Sequence, residues 1–106
     1  KLLHKEKLYD DSASRAYYAA LFAAKAALLQ KGLTAKSHDG TIKLFGSHII
    51  KRNLVPKSLG VILSRLRTMR EKAEYSPAIS ADEEDAAWSI NAAELLVATV
   101  EKMLTQ

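Results

Sequence analysis

The chain has 106 residues, 48% hydrophobic and 26% charged, ordinary values for one globular domain. It contains no cysteine, which excludes disulfides and thiolate metal sites. No run approaches the roughly 18 apolar residues that cross a bilayer, and the N-terminus lacks an apolar signal core. The composition therefore predicts a single soluble, cytoplasmic domain over residues 1–106, with no membrane partner. The net charge of +4 is unevenly spread. From Ser12 to Ala73, twelve Lys and Arg residues oppose only Asp39 and Glu71; from Glu74 onward, Lys102 alone opposes seven acids. This is either the ordinary charge of solvated helix faces or a surface for an anionic partner such as nucleic acid or nucleotide.

Helical periodicity occurs four times, and no alternating strand pattern competes with it. The first helix is expected from Asp11 to Lys31, stopped by Gly32. Tyr17, Leu21, Ala24 and Leu28 form one apolar stripe. Ala16, Ala20, Ala23 and Ala27 lie beside it, and Tyr18, Phe22, Ala26 and Leu29 cover another side. A helix apolar on most sides is central or lies in an interface. A second helix is expected from Ser37, a favourable N-cap, to Arg52, burying Ile42, Phe45 and Ile49. The third runs from Pro56 to about Glu74 and cannot pass far beyond because of Pro77. For the fourth, Ser80 and Glu83 form an expected capping box. Its stripe is Ala86, Ile90, Ala93, Val97, Val100 and Leu104. The expected fold is all-α, an antiparallel up-and-down bundle of four main helices.

Residues that break these patterns are candidates for function. Leu59, Leu63, Leu66 and Ala73 share a stripe, and Arg70 falls between them near its centre. An isolated guanidinium cannot be buried, so Arg70 must meet an acid, a set of carbonyls or a cleft. It is either a structural ion-pair residue or a phosphate ligand, a role its planar fork suits. Arg15 breaks the Tyr18–Phe22–Leu29 stripe, where a long stem can snorkel. His38 lies one turn before Ile42, as a helix-start residue or a proton carrier. No cluster has metal-ligand spacing and no Gly-rich loop could cradle phosphates, so neither metal nor cofactor is expected. Tyr9, Tyr17, Tyr18 and Trp88 are not interleaved with basic residues as a stacking platform would be.

Three segments, Ser14–Ala19 (SRAYYA), Lys36–His38 (KSH) and Arg70–Tyr75 (REKAEY) followed by Pro77, resemble the HEPN family of small helical proteins. Their order and spacing carry the resemblance over nearly the whole chain. Members are often encoded beside a minimal nucleotidyltransferase as a toxin–antitoxin pair. The resemblance implies a helical bundle that forms a homodimer, with that nucleotidyltransferase as a partner. A further helix usually precedes the SRAYYA-like one, and here only Lys1–Leu8 could represent its end, so the first family helix is expected to be truncated. RNase members carry Arg, four to six residues, then His, facing a second copy across the dimer; the His moves a proton and the Arg stabilises phosphate charge without a metal. Arg70 maps onto that arginine. Tyr75 stands where the histidine would be, and a phenol is a poor general base at neutral pH. The resemblance therefore implies RNA or nucleotide binding through Arg70, assisted by Arg67, Lys72 and Arg15. Cleavage is either lost or served weakly by Tyr75 or His38. The alternative is a non-enzymatic module that docks a nucleotidyltransferase. Arg70 and Tyr75 are expected to lie together at the end of the third helix, facing the dimer cleft.

Overall fold

A computed structural model describes residues 2–75 and 81–106, with side chains described at 7–72 and 81–106. Among these residues the chain is a bundle of helices: α1 (Leu2–Gln30), α2 (His38–Phe45) continuing into a π-helical turn (Gly46–Ile50), α3 (Ser58–Tyr75) and α4 (Glu83–Leu104). No helix among them is long and apolar enough to cross a membrane.

Helix α1 ends where the glycine demands. Gly32 adopts φ +75°, a conformation that costs glycine little. The Gly32 and Leu33 amides donate to the Leu29 and Leu28 carbonyls, each at 2.9 Å, which satisfies the last turn. The start of α1 differs from expectation. Residues 2–10 continue the same helix instead of forming the tail of a separate preceding one. Asp10, a residue suited to capping, instead accepts a 2.7 Å hydrogen bond from the Ala81 amide.

Ser37 caps α2 as expected, its Oγ accepting from the Gly40 amide at 2.9 Å. The single helix expected to Arg52 widens at Gly46. There the Lys51 amide donates to the Gly46 carbonyl at 3.0 Å, the five-residue spacing of a π-turn. Asn53, at φ 59°, then closes this segment as Gly32 closes α1, and Leu54 donates to the Ile49 carbonyl at 3.1 Å.

Leu59, Leu63 and Leu66 of α3 are buried as their spacing predicts. The cap of α4 lies two residues beyond the expected Ser80, which is outside the described residues. Asp82 caps the helix, its carboxylate accepting from the Asp85 amide at 2.8 Å, and Asp85 accepts from the Asp82 amide at 3.2 Å. The same three-residue spacing fits both starts. The later one leaves Ala81 buried and its amide paired with Asp10. The buried face of α4 is also turned from the expected stripe. Ser89, Ala92, Leu96 and Met103 join Ala86, Ala93 and Val100 inside, while Ile90 is 43% exposed. Burial of Ser89 is offset by donation from its hydroxyl to the Met69 sulfur at 2.9 Å.

Contacts at the helix ends set the directions. Asp10 meets Ala81 near the start of α4, and the Gln30 amide side chain donates to the Leu104 carbonyl at 3.1 Å. Helices α1 and α4 therefore run in the same direction. Leu33, Thr34 and Ala35 lie back over Lys25, Leu28 and Leu29, so α2 starts beside the middle of α1. Helix α3 returns antiparallel to α2 and its π-helical turn, since Arg67 meets Asp39 and Gly60 lies beside Ile50. Alanines buried on α1 (Ala13, Ala16, Ala20, Ala24, Ala27) and α4 (Ala86, Ala92, Ala93) allow close approach of backbones. The larger core side chains are Tyr17, Leu21, Leu28, Phe45, Ile49, Leu59, Leu63, Leu66, Leu96 and Val100.

One ionic cluster ties α2 to α3. Asp39 accepts from Arg67 at 3.0 Å and pairs with Lys43 at 3.0 Å, while Arg67 also reaches Glu71 at 3.6 Å. Hydrogen bonds from Lys43 and then Arg67 hold the Asp39 carboxyl below the usual carboxylate range. Stability from this group is full above about pH 3.9, the unfolded value, and is lost as pH falls through the lowered folded value. Asp39→Asn should therefore lower stability at neutral pH and narrow its difference from wild type on acidification, measured by urea denaturation from about pH 2 to 6. The gap should shrink with added salt, since the pair is exposed. Asp82→Ala should lower unfolding free energy by about 1 kcal/mol through loss of the α4 cap, read from the same urea midpoints.

Candidate phosphate-facing site

Three segments far apart in sequence meet at the middle of α1. Tyr17 points into the bundle and is 0% exposed, whereas its neighbour Tyr18 is half-buried at the surface. Consecutive helical residues diverge by about 100°, so a tyrosine pair there necessarily serves two environments. Their ring centroids are 5.3 Å apart. His38 is set at the first position of α2 by the Ser37 cap. It approaches both rings edge-on, at 5.9 Å from Tyr17 and 5.6 Å from Tyr18. From α3, the Arg70 guanidinium lies 5.0 Å from the Tyr18 ring centroid and 5.8 Å from that of Tyr17.

Arg70 thus turns its charge toward aromatic faces, an attraction that grows as water is removed. It is half-buried, short of the full burial that the centre of the stripe implied. Arg67, one turn earlier, is the arginine that engages Asp39 and Glu71. The hydrogen bond to Asp39 raises its pKa and secures its charge.

Tyr17 adds an unusual polar group. Its hydroxyl is buried and has no hydrogen-bond partner among the described residues. Burial raises its pKa above that of an ordinary phenol, opposed by the positive charges of Arg67 and Arg70. The phenol is therefore neutral at physiological pH, and the two guanidiniums are close enough for their fields to reach it. A guanidinium over electron-rich rings, with an imidazole against the same rings, can bind an anionic oxygen and orient it.

The other expected site residues separate. Arg15 is exposed and lines a groove of about 530 Å³ between α1 and α4, whose α4 wall carries Glu94 and Glu101. Lys72 is exposed on α3. Tyr75 is the last residue of α3, but its side chain, and so its expected approach to Arg70, lies outside the described residues. Sequence reasoning did not assign Tyr17, Tyr18 or Asp39 to the site. The available signal was the adjacent tyrosine pair, one member of which had to leave the core stripe. No group of three His, Asp or Glu residues among those described could hold a metal ion.

Known proteins resemble this chain along most of its length. The family model described as HEPN domain matches residues 1–103. A Methanocaldococcus jannaschii protein named "Putative toxin MJ0605" is 38% identical over 106 residues, covering all of this chain and 78% of its own length. A Thermotoga maritima protein named "UPF0332 protein" is 31% identical over 104 residues, 98% of this chain and 79% of its own length. A Gloeobacter violaceus protein, "UPF0332 protein glr0978", is 39% identical over 80 residues, 76% of this chain and 64% of its own length. No solved structure gives a significant match. A family model spanning nearly every residue, with relatives aligned along most of the chain, establishes that this protein belongs to the HEPN domain family.

Proposed function

We propose that this chain is the HEPN-type toxin component of a toxin–antitoxin pair and binds the phosphate of RNA or a nucleotide through Arg70. The observation that carries the reading is that Arg70 of REKAEY and His38 of KSH both meet the tyrosine pair of SRAYYA. The Methanocaldococcus relative named "Putative toxin MJ0605" supports the biological setting. Arg67, three residues from Arg70 on α3, and the exposed Lys72 add positive potential on the same helix. Of the candidate proton carriers, His38 shares the tyrosine pair with Arg70, and an imidazole transfers protons near neutral pH far better than a phenol such as Tyr75. Cleavage, where it survives, is therefore assigned to His38 acting with Arg70.

The functional form in this reading is a two-fold homodimer whose paired sites face a cleft, with a minimal nucleotidyltransferase as antitoxin. The groove between α1 and α4, with apolar Ala16, Ala19, Ile90, Ala93 and Val97, favours a second reading as a module that docks such a partner.

Arg70→Ala should weaken binding of single-stranded RNA by about 10- to 100-fold at low salt, since a hydrogen bond to a charged group contributes about 1.5–3 kcal/mol. The helical circular dichroism should be unchanged. Unchanged affinity would leave only the docking reading. Tyr17→Phe removes a buried hydroxyl without a described partner, so its melting temperature should equal or exceed that of wild type. A fall of several degrees would show that the hydroxyl is paired. Light scattering at micromolar concentration should report a dimer, and a monomer would remove the cleft.

A further inference from the structure

The face of α1 that carries Tyr18 continues past Arg70. Helical spacing places Arg15, Tyr18, Phe22, Lys25 and Leu29 on one stripe. Phe22 is 61% exposed, and its ring centroid lies 6.3 Å from that of Tyr18. Lys25 holds its ammonium 5.6 Å from the Phe22 centroid, and Arg70 holds its guanidinium 5.0 Å from that of Tyr18. A pair of neighbouring rings is therefore bounded by a cation at each end. Tyrosines and basic residues that are not interleaved along the sequence become interleaved once α3 brings Arg70 onto Tyr18 and one helical turn brings Lys25 onto Phe22.

A single exposed apolar side chain needs no explanation. Here the exposed ring belongs to a strip that alternates π-faces with positive charge, and it lies within the strongly basic part of the chain. Single-stranded nucleic acid presents the complementary alternation of flat bases and phosphates. A purely apolar protein partner would gain nothing from the two flanking cations. We infer that Tyr18 and Phe22 form a nucleobase-stacking subsite for single-stranded RNA, extending from the phosphate at Arg70 toward Lys25. This rests on the phosphate-binding reading of Arg70 and specifies the strand that the site takes. The distance from Tyr18 to Lys25 along α1 is about 10 Å, so the subsite spans a short stretch of strand with one base on each ring.

The test is fluorescence anisotropy at low salt with a labelled oligouridylate and an abasic strand of the same length and charge. Phe22→Ala should weaken oligouridylate binding by about tenfold, as loss of one stacked base implies. Phe22→Trp should retain it. Neither change should alter binding of the abasic strand, whereas Arg70→Ala should weaken both strands. If Phe22→Ala binds oligouridylate like wild type while Arg70→Ala does not, the stacking subsite is overturned and the phosphate reading stands. If wild type binds neither strand, both fall. If Phe22→Ala leaves RNA affinity intact but changes the molar mass in light scattering, the face is a protein interface and the inference is wrong. Phe22 is exposed, so its substitution should not unfold the bundle, which a thermal melt of each variant verifies.

Discussion

The structure depends on the burial of α1. A helix with apolar residues on most of its circumference cannot remain in water, and each later element covers one of its sides. Helix α4 covers the alanine-rich side, where small side chains let two backbones come close and increase dispersion contacts. Helix α3 brings Leu59, Leu63 and Leu66, α2 brings Phe45 and the π-helical turn brings Ile49 into one core with Tyr17, Leu21 and Leu28. The remaining side, with Tyr18, Phe22 and Leu29, is left partly open. The candidate site lies on the seam between the covered and open sides.

That position explains its chemistry. At a seam, a long cationic side chain can bury its stem while its head reaches polarisable rings and solvent. Arg70 does this against Tyr17 and Tyr18. The Asp39–Arg67 pair fastens α2 to α3 one turn away, so the start of α2, and His38 with it, is positioned against the same rings. A single ionic tie on the surface contributes little to global stability. Its consequence here is geometric, since it sets where an imidazole stands relative to a guanidinium.

The groove between α1 and α4 is a separate feature with a different character. Its walls are mostly small and aliphatic, and its charges are opposed, Arg15 on one helix against Glu94 and Glu101 on the other. The strip along Tyr18 and Phe22 is aromatic and cationic. The two faces therefore suit partners of different chemistry.

Periodicity and capping were readable from the sequence because they are local. The spacing of Leu59, Leu63 and Leu66, the Ser37 cap and the Gly32 stop each follow from interactions within a few residues. The anomaly of Arg70 was readable for the same reason: a guanidinium on an apolar stripe conflicts with its neighbours whatever the fold. Other features were settled by contacts between distant segments. Helix α4 starts at Asp82 because the Ala81 amide finds Asp10, although Ser80 satisfied the same local rule. Its buried face turned so that Ser89 could reach Met69, a partner that no helical spacing names. The sequence determined that this protein is a helical bundle with an arginine in conflict with its surroundings. Only the tertiary structure decided that Arg70 stands over Tyr17 and Tyr18, because a ring face attracts a cation only once packing has brought the two within a few ångströms.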